Sequence, residues 1–174
     1  MKTAPTIPLE FTPATQQDLD RIVRIEQESF PAPWTRKMFE AELDGNPFGS
    51  LVTARAILDG TGTALVGYMC FWVVFEELRL MNLAVDAPAR RQGVAAELVR
   101  RALAAGRERG ALRAILEVRA SNVPARRLYE QAGFRQIALR ANYYTLPVED
   151  AVIMGMEPLE AANSKWLIAN SSGS

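Results

Sequence analysis

The sequence has no histidine and one cysteine, Cys70, among its 174 residues. The absence of histidine excludes Ser-His-Asp and Cys-His couples and any imidazole general base. A single thiol excludes an internal disulfide and, without histidine, leaves no ordinary zinc site, so we expect no metal. Acid–base chemistry must therefore use carboxylates, tyrosine, lysine or the substrate itself.

Net charge and long apolar runs are also missing. Twenty Lys plus Arg balance 20 Asp plus Glu, which argues against a general nucleic-acid binder. The longest apolar stretch, residues 64–75, is far shorter than the about 18 residues that a membrane span needs, and residues 1–10 carry no signal-peptide core. We expect a soluble, cytoplasmic protein that has no nucleic-acid or membrane partner.

The charge is unevenly distributed along the chain. Seven arginines and only two glutamates lie between residues 90 and 113, so this segment carries +5 and the remainder −5. A basic segment in a neutral protein suits a small anionic ligand better than a polyanion. The alternative is a helix with a solvated arginine face, and charge alone favours that alternative.

Hydrophobic periodicity and turn residues predict an α/β fold, a mixed sheet with helices on both faces, in the order β-α-α-β-β-β-α-β-α-β-β. Thr15, Thr35 and Asn122 are predicted helix N-caps, and Gly133 is predicted to end a helix. We expect one domain over residues 7–158 and a flexible C-terminal tail over residues 159–174.

A predicted strand over residues 82–85 leads through a short loop to the start of a predicted helix at residue 94. Gly93 lets the backbone approach a ligand closely, and Ala95 and Ala96 add little bulk. Unpaired N–H groups and the positive end of the helix dipole make such a turn a phosphate cradle. The turn lacks the glycines of G-x-G-x-x-G and the Lys-Ser/Thr of a Walker motif, and an ordinary strand-to-helix turn explains it equally well.

Three single residues stand out, although each has a plainer explanation. Glu117 is a carboxylate in an apolar strand, where it normally alternates outward into solvent. Tyr129 lies on the apolar face of a short helix, where an aromatic side chain is usually core. Cys70 lies between apolar residues and is interpreted as a small buried hydrophobe.

Taken together, the motifs are more specific. Residues 90–95, Arg-Arg-Gln-Gly-Val-Ala, resemble the R/Q-x-x-G-x-G/A acyl-CoA signature of the GCN5-related N-acetyltransferase superfamily, with Ala95 in place of the commoner Gly. Within it, the chain from about Leu9 to Met156 resembles the bacterial ribosomal-protein-alanine N-acetyltransferases. That likeness is carried by residues 82–85, 116–122, 128–134, 140–144 and 149–151, and by Phe30–Trp34, which contains one extra residue.

The resemblance implies direct transfer of acetyl from acetyl-CoA, the co-substrate, to an amine in a ternary complex. Glu117 would be the general base, directly or through water, and Tyr129 the acid that protonates the leaving thiolate. The implied cofactor contacts are Leu83, Ala84 and Val85 with the pantetheine arm, Arg91, Gln92, Gly93, Val94, Ala95 and Ala96 with the pyrophosphate, and Asn122.

The implied partner is a protein N-terminus, in particular the N-terminal Ala of a small-subunit ribosomal protein. Tyr143 and Tyr144 are candidates for holding the peptide backbone, with strand packing as the alternative. An α-amine has a pKa of about 8 and a Lys side chain about 10.4, so deprotonating Lys at neutral pH costs roughly 3 kcal/mol more. A carboxylate base therefore suits an α-amine better.

Two other functions are compatible with the sequence. One is an acetyltransferase of the same fold that acts on Lys or on a small polyamine. The other is a non-catalytic acyl-CoA-binding module, although such a module needs neither Glu117 nor Tyr129.

Overall fold

The structure, a computed structural model, describes residues 7–159. The predicted order of helices and strands is confirmed, with a short 3₁₀ turn before the first helix and another before the third. The elements are β1 (Leu9–Pro13), α1 (Leu19–Ser29), α2 (Arg36–Asp44), β2 (Gly49–Leu58), β3 (Gly62–Val74), β4 (Glu77–Val85), α3 (Val94–Glu108), β5 (Arg113–Arg119), α4 (Val123–Ala132), β6 (Arg135–Thr145) and β7 (Val148–Met156).

The strands form one seven-stranded mixed sheet in the order β1-β2-β3-β4-β5-β7-β6. Neighbouring strands run antiparallel except β4 and β5, which are parallel. A parallel pair requires a crossover connection, and α3 supplies it. The carboxyl ends of β4 and β5 therefore meet at the same edge of the sheet as the amino end of α3.

Helices cover both faces of the sheet, as the sequence predicts. On one face, α3 and α4 bury residues that include Val99, Leu103 and Tyr129 against β3, β4, β5 and β7. On the other face, α1 and α2 bury residues that include Ile22 and Phe39 against β2, β3 and β4. Burial of apolar surface on both faces of the central strands provides the main driving force for folding.

Local capping signals determine where the helices begin and end. Thr15 and Asp18 form a capping box before α1, and the Met38 N–H donates to Thr35 Oγ1 at the start of α2. Asn122 Oδ1 accepts from the Ala125 N–H at the start of α4. Gly133 follows that helix with φ +107, a conformation that costs other L-residues free energy. All four predicted end signals are confirmed.

The last described residues belong to the folded core. Leu159, the first residue of the predicted tail, is buried, and its N–H donates to the Leu112 carbonyl at 2.7 Å. The rest of that predicted tail lies outside the described residues. Within residues 7–159, no helix is long and apolar enough to cross a membrane.

Candidate active site

An opening in the sheet separates the carboxyl ends of β4 and β5. The parallel pairing runs from Glu77 opposite Arg113 to Leu80 opposite Leu116 and ends there. On the β3 side, Cys70 pairs with Asn82 and Phe71 with Leu80, so Met81 is a bulge residue without a partner. A bulge bends its strand and increases its twist. Residues 82–85 therefore pair with β3 alone and turn their other edge to the opening.

The amino end of α3 lies at the same edge of the sheet as this opening. Arg91 and Gly93 both have positive φ, at +62 and +82, and the first α-helical hydrogen bond runs from the Glu97 N–H to the Gly93 carbonyl. The N–H groups of residues 94–96 therefore have no acceptor within the helix. Together with the helix dipole, they form a site for an anion.

Side chains brace the loop that leads into α3. Arg90 Nε donates to the Val85 carbonyl at 2.9 Å, and its Nη2 donates to Ser29 Oγ at 3.2 Å. Gln92 Nε2 donates to the Pro88 carbonyl at 3.2 Å. These bonds tie the loop to β4, to the end of α1 and to itself, so the backbone N–H groups are held in place before a ligand arrives.

Three arginines of the basic segment form ion pairs away from the loop. Glu97 forms ion pairs with Arg100 at 2.6 Å and Arg101 at 3.0 Å, and Arg113 pairs with Glu77 at 3.0 Å. Since Glu97 is already counted in the +5 of residues 90–113, only the pair with Glu77 brings in a negative charge from outside the segment. The positive character of the loop comes from residues 90 and 91 and from the helix dipole.

Glu117 lies on β5 just beyond the last residue that pairs with β4. Alternation along the strand points it away from the α3 and α4 core, and its side chain is 35% exposed. Arg140 Nη1 lies 3.4 Å from its Oε1, and hydrogen bonding to Glu117 raises the pKa of Tyr143. The carboxylate is therefore in reach of solvent and of β6.

Tyr129, a residue of α4, has the opposite environment, since its side chain is buried in the core. Its ring meets Phe134 edge to face, with centroids 5.9 Å apart. Burial, together with the neighbouring Tyr144, raises the pKa of the Tyr129 hydroxyl above its usual range. No hydrogen bond of this hydroxyl is found within residues 7–159. The phenol is therefore protonated at neutral pH, and its burial makes it a weaker acid than a free tyrosine.

The β6–β7 hairpin brings two further tyrosines to the site. The rings of Tyr143 and Tyr144 meet edge to face at 5.1 Å. Tyr143 is exposed and Tyr144 half-buried. Burial and the charge of Glu117 raise the pKa of Tyr144 to about 12. Tyr144 interacts electrostatically with both Glu117 and Tyr129.

The remaining predicted residues lie along the same edge of the sheet. Ala84 and Val85 are buried on opposite faces of β4, and Leu83 is half-buried. Asn122 follows β5 as the cap of α4 and is half-buried. The predicted residues on β4, at the start of α3, on β5 and at the start of α4 thus lie at or beside this edge of the sheet. Among residues 7–159, no group of three His, Cys, Asp or Glu side chains could hold a metal ion.

One residue that supports this region is missing from the sequence prediction. Glu26 on α1 is only 1% exposed and accepts hydrogen bonds from the Trp34 N–H at 2.8 Å, from Asn82 Nδ2 at 3.0 Å and from the Tyr68 hydroxyl. Burial raises its pKa, and the three donors oppose that shift. The sequence feature that could have identified Glu26 is its position seven residues after Leu19, on the apolar face of the helix.

The Glu26 network connects the open half of β4 to the segment between α1 and α2. Asn82 follows the bulge on β4, and Trp34 ends the segment that carries the extra residue. The Trp34 ring packs on Phe39 at 5.3 Å, which in turn meets Tyr68 at 5.5 Å. One buried carboxylate therefore fixes the segment between α1 and α2 relative to the open half of β4.

Comparison with known proteins agrees with this geometry. Residues 19–134 match the model of the Acetyltransferase (GNAT) family. A Bacillus subtilis protein provisionally named ribosomal protein bS18-alanine N-acetyltransferase is 38% identical over 138 residues, which are 79% of this chain and 88% of that protein.

Solved structures share the fold. The crystal structure of the ribosomal-protein-S18-alanine N-acetyltransferase from Escherichia coli has a TM-score of 0.75 and 30% identity, covering 90% of this chain and 97% of that one. Arabidopsis thaliana NAA60 in complex with acetyl-CoA has a TM-score of 0.78 over 86% of this chain and 98% of that one. At 20% identity, the second structure supports the fold alone.

The chain belongs to the acetyltransferase (GNAT) family. It is an acetyl-CoA-dependent N-acetyltransferase, so the enzyme class and the resemblance inferred from the motifs are confirmed. The roles of the individual site residues stay predictions.

Replacing Glu26 tests the buried network. We expect Glu26→Ala to lower the free energy of unfolding by about 3 kcal/mol or more, because it leaves three donors without their acceptor. Glu28→Ala on the same helix removes only an exposed ion pair with Arg24 and should cost less than about 0.5 kcal/mol. Urea denaturation measures both, and equal losses in the two variants would contradict the network's importance.

Proposed function

We propose that this enzyme transfers acetyl from acetyl-CoA to the α-amine of a protein N-terminus, by direct transfer in a ternary complex. The preferred acceptor is the N-terminal Ala of a small-subunit ribosomal protein. One observation carries the proposal: the amino end of α3, whose first N–H groups have no acceptor in the helix, lies beside the open edge of β4, and the partly exposed carboxylate of Glu117 lies on β5 across the opening. The names of the bacterial relatives support the choice of acceptor.

Acetyl-CoA binding is assigned to the open edge of β4 and the start of α3. One edge of Leu83–Val85 faces the opening, and the backbone groups there that bond neither to β3 nor to Arg90 would bond to the amides of the pantetheine arm, as a neighbouring strand would. The backbone N–H groups at the amino end of α3 would hold the pyrophosphate. Asn122 would contact the co-substrate from the far side.

Proton transfer is assigned to two side chains. An ammonium group cannot attack, so Glu117 accepts one proton from it, directly or through a water molecule. The amine nitrogen then forms a bond to the acetyl carbonyl carbon, and the carbon–sulfur bond breaks. Tyr129 gives its proton to the departing thiolate, whose thiol has a pKa of about 8.5. The new amide nitrogen still carries one proton too many and returns it to the Tyr129 phenolate through water, while Glu117 releases its proton to solvent. Neither step needs a metal ion or an imidazole.

Acceptor binding is assigned to the hairpin side of the site. Tyr143 and Tyr144 present hydroxyl groups beside Glu117, where they could bond to the backbone of an incoming peptide. Arg140 is paired with Glu117, so an arriving ammonium group would compete with a guanidinium for the same carboxylate.

The acceptor is tested directly with three kinds of peptide. The enzyme receives acetyl-CoA with a peptide that starts Ala-Arg, with the same peptide blocked at its N-terminus, and with a Lys-containing blocked control. Mass spectrometry should locate acetyl on the α-amine of the first peptide alone, because that amine has the lower pKa. Acetylation at Lys alone would refute the proposed acceptor. The absence of CoA release with every amine would indicate a non-catalytic binding module.

The assigned cradle is tested by two matched glycine variants. Gly93→Ala places a Cβ at φ +82 and should weaken acetyl-CoA binding about tenfold, since a left-handed conformation costs an L-residue about 1–2 kcal/mol. Gly110→Ala carries the same strain at φ +88 beyond the other end of α3 and should leave the affinity unchanged. Isothermal titration calorimetry measures both, and equal affinities in the two variants would place the co-substrate elsewhere.

The assigned acid is tested by Tyr129→Phe. We expect kcat to fall about 100-fold, the scale of a lost general acid, while the Kd for acetyl-CoA stays within about twofold. Because burial raises the pKa of Tyr129, the wild-type phenol stays protonated at alkaline pH. The kcat of the wild type should therefore not decline up to about pH 10, the ordinary pKa of tyrosine. Equal losses of kcat and affinity would make Tyr129 a packing residue.

A further inference from the structure

Arg119 is a half-buried arginine to which the proposed mechanism gives no role. It lies on β5 two residues after Glu117, so strand alternation places both side chains on the same face of the sheet. Only 14% of its side chain is exposed. A guanidinium with so little exposed surface requires hydrogen-bond partners that compensate its lost hydration.

Its partners all belong to the β6–β7 hairpin. Arg119 Nη2 donates to the Leu146 carbonyl at 3.1 Å, and Nη1 donates to the Pro147 carbonyl at 3.2 Å. Nη1 also lies 3.5 Å from Glu149 Oε1. On another side, the guanidinium carbon lies 4.2 Å from the centroid of the Tyr144 ring. One side chain therefore contacts the turn and the aromatic residue that precedes it.

The turn has little packing of its own. Leu146 is 70% exposed and Val148 66% exposed, so neither side chain anchors the turn in the core. The pairing of β6 with β7 is interrupted between Arg140 and Tyr144, and Asn142 there has φ +53. A segment with few buried apolar contacts and a broken ladder is held by its remaining polar contacts.

We propose that Arg119 is a positioning residue that clamps the β6–β7 turn and thereby holds Tyr144 at the mouth of the site. The planar guanidinium of Arg119 donates to two carbonyl groups while its face stacks on the Tyr144 ring. A lysine side chain cannot reproduce this combination. The effect on acceptor binding rests on the proposed function, whereas the clamp itself rests on the contacts alone.

Steady-state kinetics test the consequence for the acceptor. Arg119→Ala should raise the KM for the Ala-Arg peptide about tenfold and leave the KM for acetyl-CoA within about twofold, because only the acceptor side is misplaced. Arg119→Lys should recover little of that loss. Arg113→Ala, on the same face of β5 and ion-paired with Glu77, is the control and should change neither value. Equal increases in both KM values, or the same change in the control, would overturn the proposal.

A double-mutant cycle tests whether Arg119 acts through Tyr144. If it does, Arg119→Ala combined with Tyr144→Ala should raise the peptide KM no further than the larger single effect. Effects that multiply would show that the two residues act independently and would overturn the assignment. Thermal melting of each variant identifies any that fails to fold, in which case the cycle is repeated with Arg119→Lys.

Hydrogen exchange tests the clamp without any substrate. Amides within residues 141–149 should exchange faster in Arg119→Ala and at the wild-type rate in Arg113→Ala. Unchanged exchange in Arg119→Ala would overturn the clamp. A wild-type enzyme that leaves the α-amine untouched would instead refute the proposed function, and the exchange result would still decide the clamp.

Discussion

The site depends on one break in the sheet, where β4 leaves β5 after four paired residues. Met81 produces the break, because it has no partner on β3 and shifts the register of β4 there. A continuous pair of strands would bond every backbone group of residues 82–85 to protein and leave no opening. With the break, one edge of β4 stays available beside the amino end of α3, and a ligand can bond to both.

Contacts on both faces keep the opening in shape. On one side, Glu26 binds Asn82 and so holds the open half of β4 against α1. On the other, Gly67 lets three elements approach closely, since a Cβ there would lie 3.1 Å from the Ala84 carbonyl and 3.4 Å from Val94 Cγ1. The break is therefore a supported feature of the packed core and not a frayed strand end.

The sequence predicts the features that depend on neighbours along the chain. Thr35 and Asn122 mark where helices begin, and Gly133 marks where one ends. They act through bonds or backbone angles within a few residues, so their residue types suffice for the prediction. Glu26 and Arg119 bind groups 8–56 and 27–30 residues away, and no local pattern encodes those partners. The Met81 bulge is likewise set by pairing with β3. The motifs predict which residues form the site, but the contacts that fix the shape of this region required the structure.

The chain lacks histidine, and its two candidate proton-transfer groups differ in environment instead. Glu117 is partly exposed and ion-paired with Arg140, so its charged form is solvated. Tyr129 is buried, and its raised pKa keeps the phenol protonated. An imidazole would change charge near pH 6.5, within the physiological range. Under the proposed assignment no imidazole titrates in that range, and the pH dependence of the reaction near neutrality is that of the substrate amine.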